Sequence, residues 1–368
     1  MGIRARLRLA LGLPAPPRRP PPVRCSAQGP RRLIAYLTGG SQGWILEFLW
    51  RDLTETAVWA EQDAPELLVA SDRDSLAMAM DGANALVVVM FQGHLQRLLR
   101  DGIPAERVIL YLSHLRIGLA LPDLNRLHAV LALNGQEQAL LRIAGVESQR
   151  LHWFPAGYDP AKFFPGPLLE QRPIDVLLVG RYVPKANPNY HERKRFALLC
   201  ELAGLLIGQG LQVVVLGSGW QSCEYPLPAA VDVKDVPHGD YGAIYRQARL
   251  VCSVSAQEGG PVSFLEGLAS GCLMLSVPTG FAADFQCGVD GIWHLPLSAS
   301  AGQWCEQIQH CLQHGLQRGQ VDAGLAAGDG SPQRQAYLRQ AQFEQLARQL
   351  RQLCDQPVVE GSMERPHG

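Results

Sequence analysis

The chain lacks any apolar run near the roughly 18 residues that a bilayer-spanning helix needs, which excludes a membrane-crossing helical segment. It also lacks a surplus of charge of either sign. With 33 basic and 34 acidic residues the formal net charge is −1, so no global field draws it to nucleic acid. Its nine cysteines include no Cys-x-x-Cys pair. Residues such as Cys200, Cys252 and Cys272 sit in apolar segments and read as reduced, buried thiols, with a cytoplasmic location expected. No His/Cys/carboxylate cluster has zinc spacing, and no P-loop lysine pattern or internal repeat is present. What the chain does have is 368 residues, 47% of them apolar and 18% charged. That is the composition of a folded globular protein too long for one ordinary core, and it suits two domains.

The opening of the chain differs from the rest. Arg4, Arg6 and Arg8 alternate with Ile3, Leu7 and Leu9, and a proline-rich basic stretch runs from Pro14 to Pro22. A secretory signal needs a longer apolar core and a small-residue cleavage site. Gly2 invites N-myristoylation, but Arg6 stands where Ser or Thr is wanted. Residues 1–30 are expected to be a disordered leader. The competing reading is that residues 1–13 form a short basic amphipathic segment making weak peripheral contact with the inner face of a membrane.

Beyond the leader, short apolar runs alternate with segments of helical period. Strands are expected at Arg32 to Thr38, Leu67 to Ala70, Ala85 to Met90, Val108 to Leu112, Ala129 to Leu133 and Arg150 to Phe154. A loop rich in Pro and Gly, Pro155 to Pro173, precedes a second series at Asp175 to Val179, Gln212 to Leu216, Leu250 to Val254 and Leu273 to Val277. Between its first two strands a single helix is expected over His191 to Gln209. The expected architecture is α/β, with two Rossmann-like domains facing across a cleft: an acceptor-side domain over 31–165 and a nucleotide-sugar-binding domain over 170–315. A C-terminal helix over 332–354 and a disordered tail over 355–368 complete the reading.

The sharpest chemical signal is Glu258-Gly259-Gly260-Pro261-Val262-Ser263-Phe264-Leu265-Glu266-Gly267-Leu268-Ala269-Ser270-Gly271, lying between two expected strands. Glycine lets backbone approach a ligand closely, and Pro261 suits the first helical position. The start of the helix offers free N–H groups and a partial positive charge, which suit a phosphate. Phe264, Leu265, Leu268 and Ala269 supply a buried face, and Gly271 a C-terminal stop. Glu258 falls at a strand end and Glu266 two turns on, so both carboxylates can reach one elongated ligand.

This segment resembles the C-terminal signature of the retaining, group 1 glycosyltransferases of GT-B fold, in which two glutamates are separated by seven residues. The resemblance implies that Glu266 holds the ribose hydroxyls of a nucleotide-sugar donor and that Glu258 contacts the donor sugar. It places Gly259, Gly260 and Pro261 beside sugar and phosphate. It also implies cationic groups for the leaving diphosphate, for which Arg181 and Lys185 stand in the loop after the first strand of the second series. Arg193, Lys194 and Arg195 are alternatives to Lys185 as the second cation. Gly217 and Gly219 resemble the family's strand-ending Gly-x-Gly, and Lys234 lies in the stretch that meets the base. Gly40, in the loop Gly39 to Gly43, would approach the donor phosphates from the other half. His114 would stand near the donor or acceptor sugar, with His94 as its rival. Phe154 to Asp159 resembles the interdomain crossover, with Ala156 where the family usually has Asn.

Asp72-Arg73-Asp74 matches the metal-binding Asp-x-Asp of the other glycosyltransferase fold, but helix capping accounts for it. No metal or other cofactor is therefore expected, the nucleotide-sugar being a substrate. The expected activity is transfer of the sugar to a hydroxyl of a glycan, lipid or small-molecule acceptor, with retention. A nucleotide-sugar epimerase, a sugar-phosphate synthase or a non-catalytic binding module are the alternatives.

Overall fold

The structure is a computed structural model that describes residues 23–29, 31–38, 45–90, 92–112, 124–184, 188–317 and 332–358. The first half contains β1 (Arg31–Tyr36), α1 (Ile45–Thr54), β2 (Glu66–Ala70), α2 (Arg73–Met80), β3 (Asn84–Val89), α3 (Gln92–Arg100), β4 (Val108–Leu112), β5 (Ala129–Ala132), α4 (Gly135–Ile143) and β6 (Leu151–Trp153). Its strands form one sheet in the order β2-β1-β3-β4-β5-β6, and every pairing is parallel. Strands such as Val108–Leu112 and Ala129–Ala132 are buried at every position, which is why they read as unbroken apolar runs.

The second half contains β7 (Ile174–Val179), α5 (Pro188–Lys194), α6 (Phe196–Gly208), β8 (Val213–Leu216), β9 (Asp232–Lys234), α7 (Tyr241–Tyr245), β10 (Ala248–Ser253), α8 (Val262–Ala269), β11 (Leu273–Ser276), β12 (Ile292–His294) and α9 (Ala301–Gln317). Its sheet runs β12-β11-β10-β7-β8-β9, again all parallel. The chain leaves β7 toward β8 on one side and returns to β10 on the other. The gap beyond the carboxyl ends of β7 and β10 is therefore the topological switch point, where open α/β sheets bind ligands. Two parallel sheets of this kind are two Rossmann-like units.

The chain then closes with α10 (Pro332–Gln340) and α11 (Phe343–Asp355). The last helix packs against the first half, not the second. Phe343, Leu346 and Leu350 share a core with Leu49, Trp50 and Leu53 of α1. Arg351 donates to Val58 O at 3.1 Å and Gln62 O at 2.8 Å, and Leu353 O bonds the His128 ring at 2.8 Å. The outgoing crossover and the returning chain meet at Tyr158, whose N–H donates to Ala341 O at 3.0 Å while its C=O accepts from Phe343 N–H at 3.2 Å.

Several expectations are corrected. The helix expected over His191 to Gln209 is two helices, broken at Arg195, which adopts a left-handed backbone at φ 54°. The C-terminal segment is likewise two helices. Residues 23–29, expected to belong to a disordered leader, pack on the first half: Val23 is buried and Ser26 N–H donates to Ala83 O at 3.0 Å. Of the nine cysteines six are buried, whereas Cys287 is exposed and Cys25 and Cys223 are half-buried. Asp72 caps α2 by accepting from Ser75 N–H, with the Ser75 hydroxyl returning the contact, so that motif is spent on a helix end. Among the described residues no helix is long and apolar enough to cross a membrane.

Candidate functional site

The loop from Val254 to Pro261 leaves the carboxyl end of β10, and α8 begins immediately after it. Pro261 is the residue before the helix rather than its first residue, and its C=O accepts from Phe264 N–H at 2.8 Å. The N–H groups of Val262 and Ser263 precede the first hydrogen bond of α8, at the helix end that follows the carboxyl end of β10. Gly271, at φ 72°, ends the helix in the left-handed conformation.

Glu258 stands in this loop between cations. Lys194 Nζ lies 2.5 Å from one carboxylate oxygen and an Arg193 guanidinium nitrogen 3.2 Å from the other. Burial alone would push the Glu258 pKa up, but the two cations outweigh it and hold the carboxyl below its ordinary value. The backbone on both sides is tied down: Glu258 N–H donates to Thr279 Oγ1 at 3.0 Å, and Arg193 C=O accepts from Ala256 N–H at 2.7 Å. Arg193 and Lys194 lie immediately before the break at Arg195. They are the cations brought to Glu258 among the described residues. Lys185, Gly40 and His114 lie outside the described residues.

Glu266 lies on the inward face of α8 among Phe264, Leu265 and Leu268, with only 2% of its surface exposed. A carboxylate buried this deeply needs a partner. His238 supplies it, with Nε2 2.6 Å from Oε1. Burial lowers the His238 pKa, but the Glu266 hydrogen bond and charge, helped by Asp52, carry it above its ordinary value against the opposing charge of Lys162. The ring of Phe48, on α1 of the first half, lies 6.0 Å from the His238 ring with the planes 16° apart. His238 has no motif in the sequence. Its only advance signal is a glutamate on an apolar helix face, which demands a partner without saying which.

Arg181 follows β7 and is exposed. Its C=O accepts from the Tyr190 hydroxyl at 3.1 Å, and the Arg193 guanidinium lies over the same Tyr190 ring, 5.4 Å from its centroid. By its place just after β7, Arg181 borders the switch point beyond β7 and β10. Gly217 and Gly219 have a reason to be glycine that needs no ligand: a Cβ on either would meet the C=O of Gly180 at 2.3 Å or of Tyr182 at 2.1 Å. They let β8 press against the Arg181 loop. Lys234 ends β9 and pairs with Asp232 at 2.9 Å. His94, in α3, packs edge-on against Tyr36 with centroids 5.6 Å apart, and burial lowers its pKa.

The first half touches this site directly. Asn134, between β5 and α4, donates from Nδ2 to Gly259 O at 2.8 Å. Gly135 N–H reaches both carboxylate oxygens of Asp284 at 3.0 Å. A Cβ on Gly260 would meet Phe281 at 2.7 Å and Leu133 at 3.3 Å. The carboxyl ends of the two sheets thus face each other across the loop that carries Glu258.

Comparison with known proteins bears on the family and the fold. Residues 193–352 match the family model described as glycosyl transferase-like, a span that holds Arg193, Lys194, Glu258 and Glu266. No curated protein matches the chain. Among solved structures, the HepE protein of Anabaena in complex with UDP and glucose is 14% identical, with 89% of this chain and 100% of that one covered and a TM-score of 0.58. A glycosyltransferase from Rickettsia africae is 11% identical over 91% of this chain and 100% of its own, with a TM-score of 0.61. Sucrose-phosphate synthase from Thermosynechococcus elongatus is 17% identical over 73% and 72%, with a TM-score of 0.53. At such identities these likenesses concern the fold.

Proposed function

We propose that this chain, a GT-B glycosyltransferase by its fold and by the family match of residues 193–352, takes a nucleoside diphosphate sugar in the gap beyond β7 and β10 and moves the sugar to an acceptor hydroxyl with retention. The observation that carries the reading is the placing of Glu258, the free end of α8, Glu266 and Arg181 at one switch point.

In this reading the diphosphate lies against the Gly259–Gly260 backbone and the first N–H groups of α8. Arg193 and Lys194 carry two positive charges against the single negative charge of Glu258, and Arg181 adds another. That local excess stabilises the charge that grows on the departing diphosphate, with no metal needed for it. Glu258, anchored by its two cations, faces the donor sugar. Glu266 accepts from the ribose hydroxyls, which either displace His238 or share the carboxylate with it. UDP and UDP-glucose, which the Anabaena protein binds, are the first donors to test. The acceptor would enter from the first half.

A thermal-shift panel of nucleoside diphosphates and their sugars tests the proposal, because a ligand held by the native state alone raises the melting temperature by mass action. The expected result is a shift with one nucleotide series that Glu266→Gln weakens by about tenfold or more in apparent affinity, since hydrogen bonds to a charged acceptor are lost. No shift with any nucleotide would sink the reading.

A further inference from the structure

The Gly259–Gly260 peptide is intrinsically the loosest link of the site, because neither residue has a side chain to restrict it. Its carbonyl and the N–H of Gly260 belong to one rigid plane and point opposite ways. Whatever holds the carbonyl therefore aims the N–H. In this structure the holder comes from the other half of the molecule.

Asn134 is only 1% exposed, and both ends of its amide are used. Oδ1 accepts from Glu137 N–H at 2.8 Å and so caps α4, while Nδ2 donates to Gly259 O at 2.8 Å. The capping role fixes which end is oxygen, so the donor to Gly259 is the NH2 group. One residue further, Gly135 N–H binds the Asp284 carboxylate. Asp284 ends a segment that packs closely against the loop. Gly280, at φ 59°, lies so close that a Cβ there would meet Gly259 O at 2.7 Å and Glu258 O at 2.8 Å, and Thr279 is bonded to Glu258. The start of α4 thus grips the loop and its support at two adjacent points.

We propose that Asn134 is a positioning residue of the donor site: from the first half it fixes the Gly259–Gly260 peptide in the orientation that receives the donor, with Asp284 on Gly135 as the second point of the clasp. This rests on the reading of the loop as the diphosphate and sugar site. The clasp makes a competent loop conditional on the two halves being together, so the site is preorganised only in the closed molecule.

Asn134→Asp separates the two roles of the side chain. It keeps the oxygen that caps α4, where a carboxylate is welcome, and removes the donor to Gly259. Hydrogen exchange of the ligand-free protein should show residues 256–266 exchanging about tenfold faster in Asn134→Asp, the worth of one buried hydrogen bond, with residues 135–143 unchanged. Asn134→Ala should loosen both segments. With UDP-glucose as the probe, Asn134→Asp should lower kcat for UDP release about tenfold with a smaller change in KM. Unchanged exchange of 256–266 in Asn134→Asp overturns the proposal, and so does unchanged kcat in a variant whose wild type turns over. A wild type that neither binds nor cleaves UDP-glucose counts against that donor, while the exchange result still decides the role of Asn134.

Discussion

At the scale of single residues, the two glutamates are set by opposite solutions to the same burial cost. Glu258 is held by two cations, and its pKa is depressed, so its contribution to stability is present above the ordinary value of 4.5 and is lost as the pH falls through the lower native value. Lys194→Met should cost about 2 kcal/mol near neutral pH, and denaturant titrations should show the gap to wild type narrowing below about pH 4.5. Glu266 is held by a histidine whose pKa is raised. That contact is complete below the ordinary histidine value of 6.5 and is lost as the pH rises through the raised native value. The denaturation midpoint of the wild type should therefore fall on the alkaline side of 6.5 by an amount that His238→Gln, still able to donate, does not show. Equal pH dependence in the two proteins would refute the assignment. The glutamates were legible in the sequence because a strand, a glycine loop and a helix frame them in register. Asn134 and His238 were not, since each acts on a residue more than 25 positions away and nothing local marks either as a partner.

At the scale of elements, the apolar runs placed ten strands, because parallel strands buried on both faces leave little ambiguity. The two strands that escaped, Asp232–Lys234 and Ile292–His294, are three residues long and lie at the sheet edges, where polar side chains break the pattern. The break between α5 and α6 escaped for another reason. The helical period continues through Arg195, and contacts distant in sequence hold the left-handed residue: Ala256 N–H on Arg193 C=O, Glu258 on the preceding side chains, and the Arg195 guanidinium on Val254 O and Ala299 O. A non-glycine residue there costs about 1–2 kcal/mol. Arg195→Gly should hence remain within about 1 kcal/mol of wild type despite losing two long hydrogen bonds, whereas Arg195→Val should lose more than about 2 kcal/mol. Chemical denaturation of the pair checks this, and the reverse order would show that the turn is not strained.

At the scale of the whole molecule, the Pro155 to Pro173 loop was legible as a divider, but the destination of the last helix was not. Its amphipathic period says that one face is buried and gives no partner. The structure sends it back to α1, so Phe343, Leu346, Leu350 and Leu353 complete the core of the first half. Removing residues 332–368 should therefore unfold the first half rather than merely trim the second. Limited proteolysis should find cleavage spread over residues 31–153, with residues 174–294 more resistant. A truncated chain whose first half remains protected would contradict this.

The return of that helix also orders the birth of the protein. A ribosome delivers residues 31–153 first, yet their apolar groove between α1 and the sheet is filled only by side chains made some two hundred residues later. The half that is synthesised first is thus the one that must finish last, and until its final turn emerges it carries an uncovered greasy furrow that a chaperone, or a neighbouring nascent chain, is free to claim.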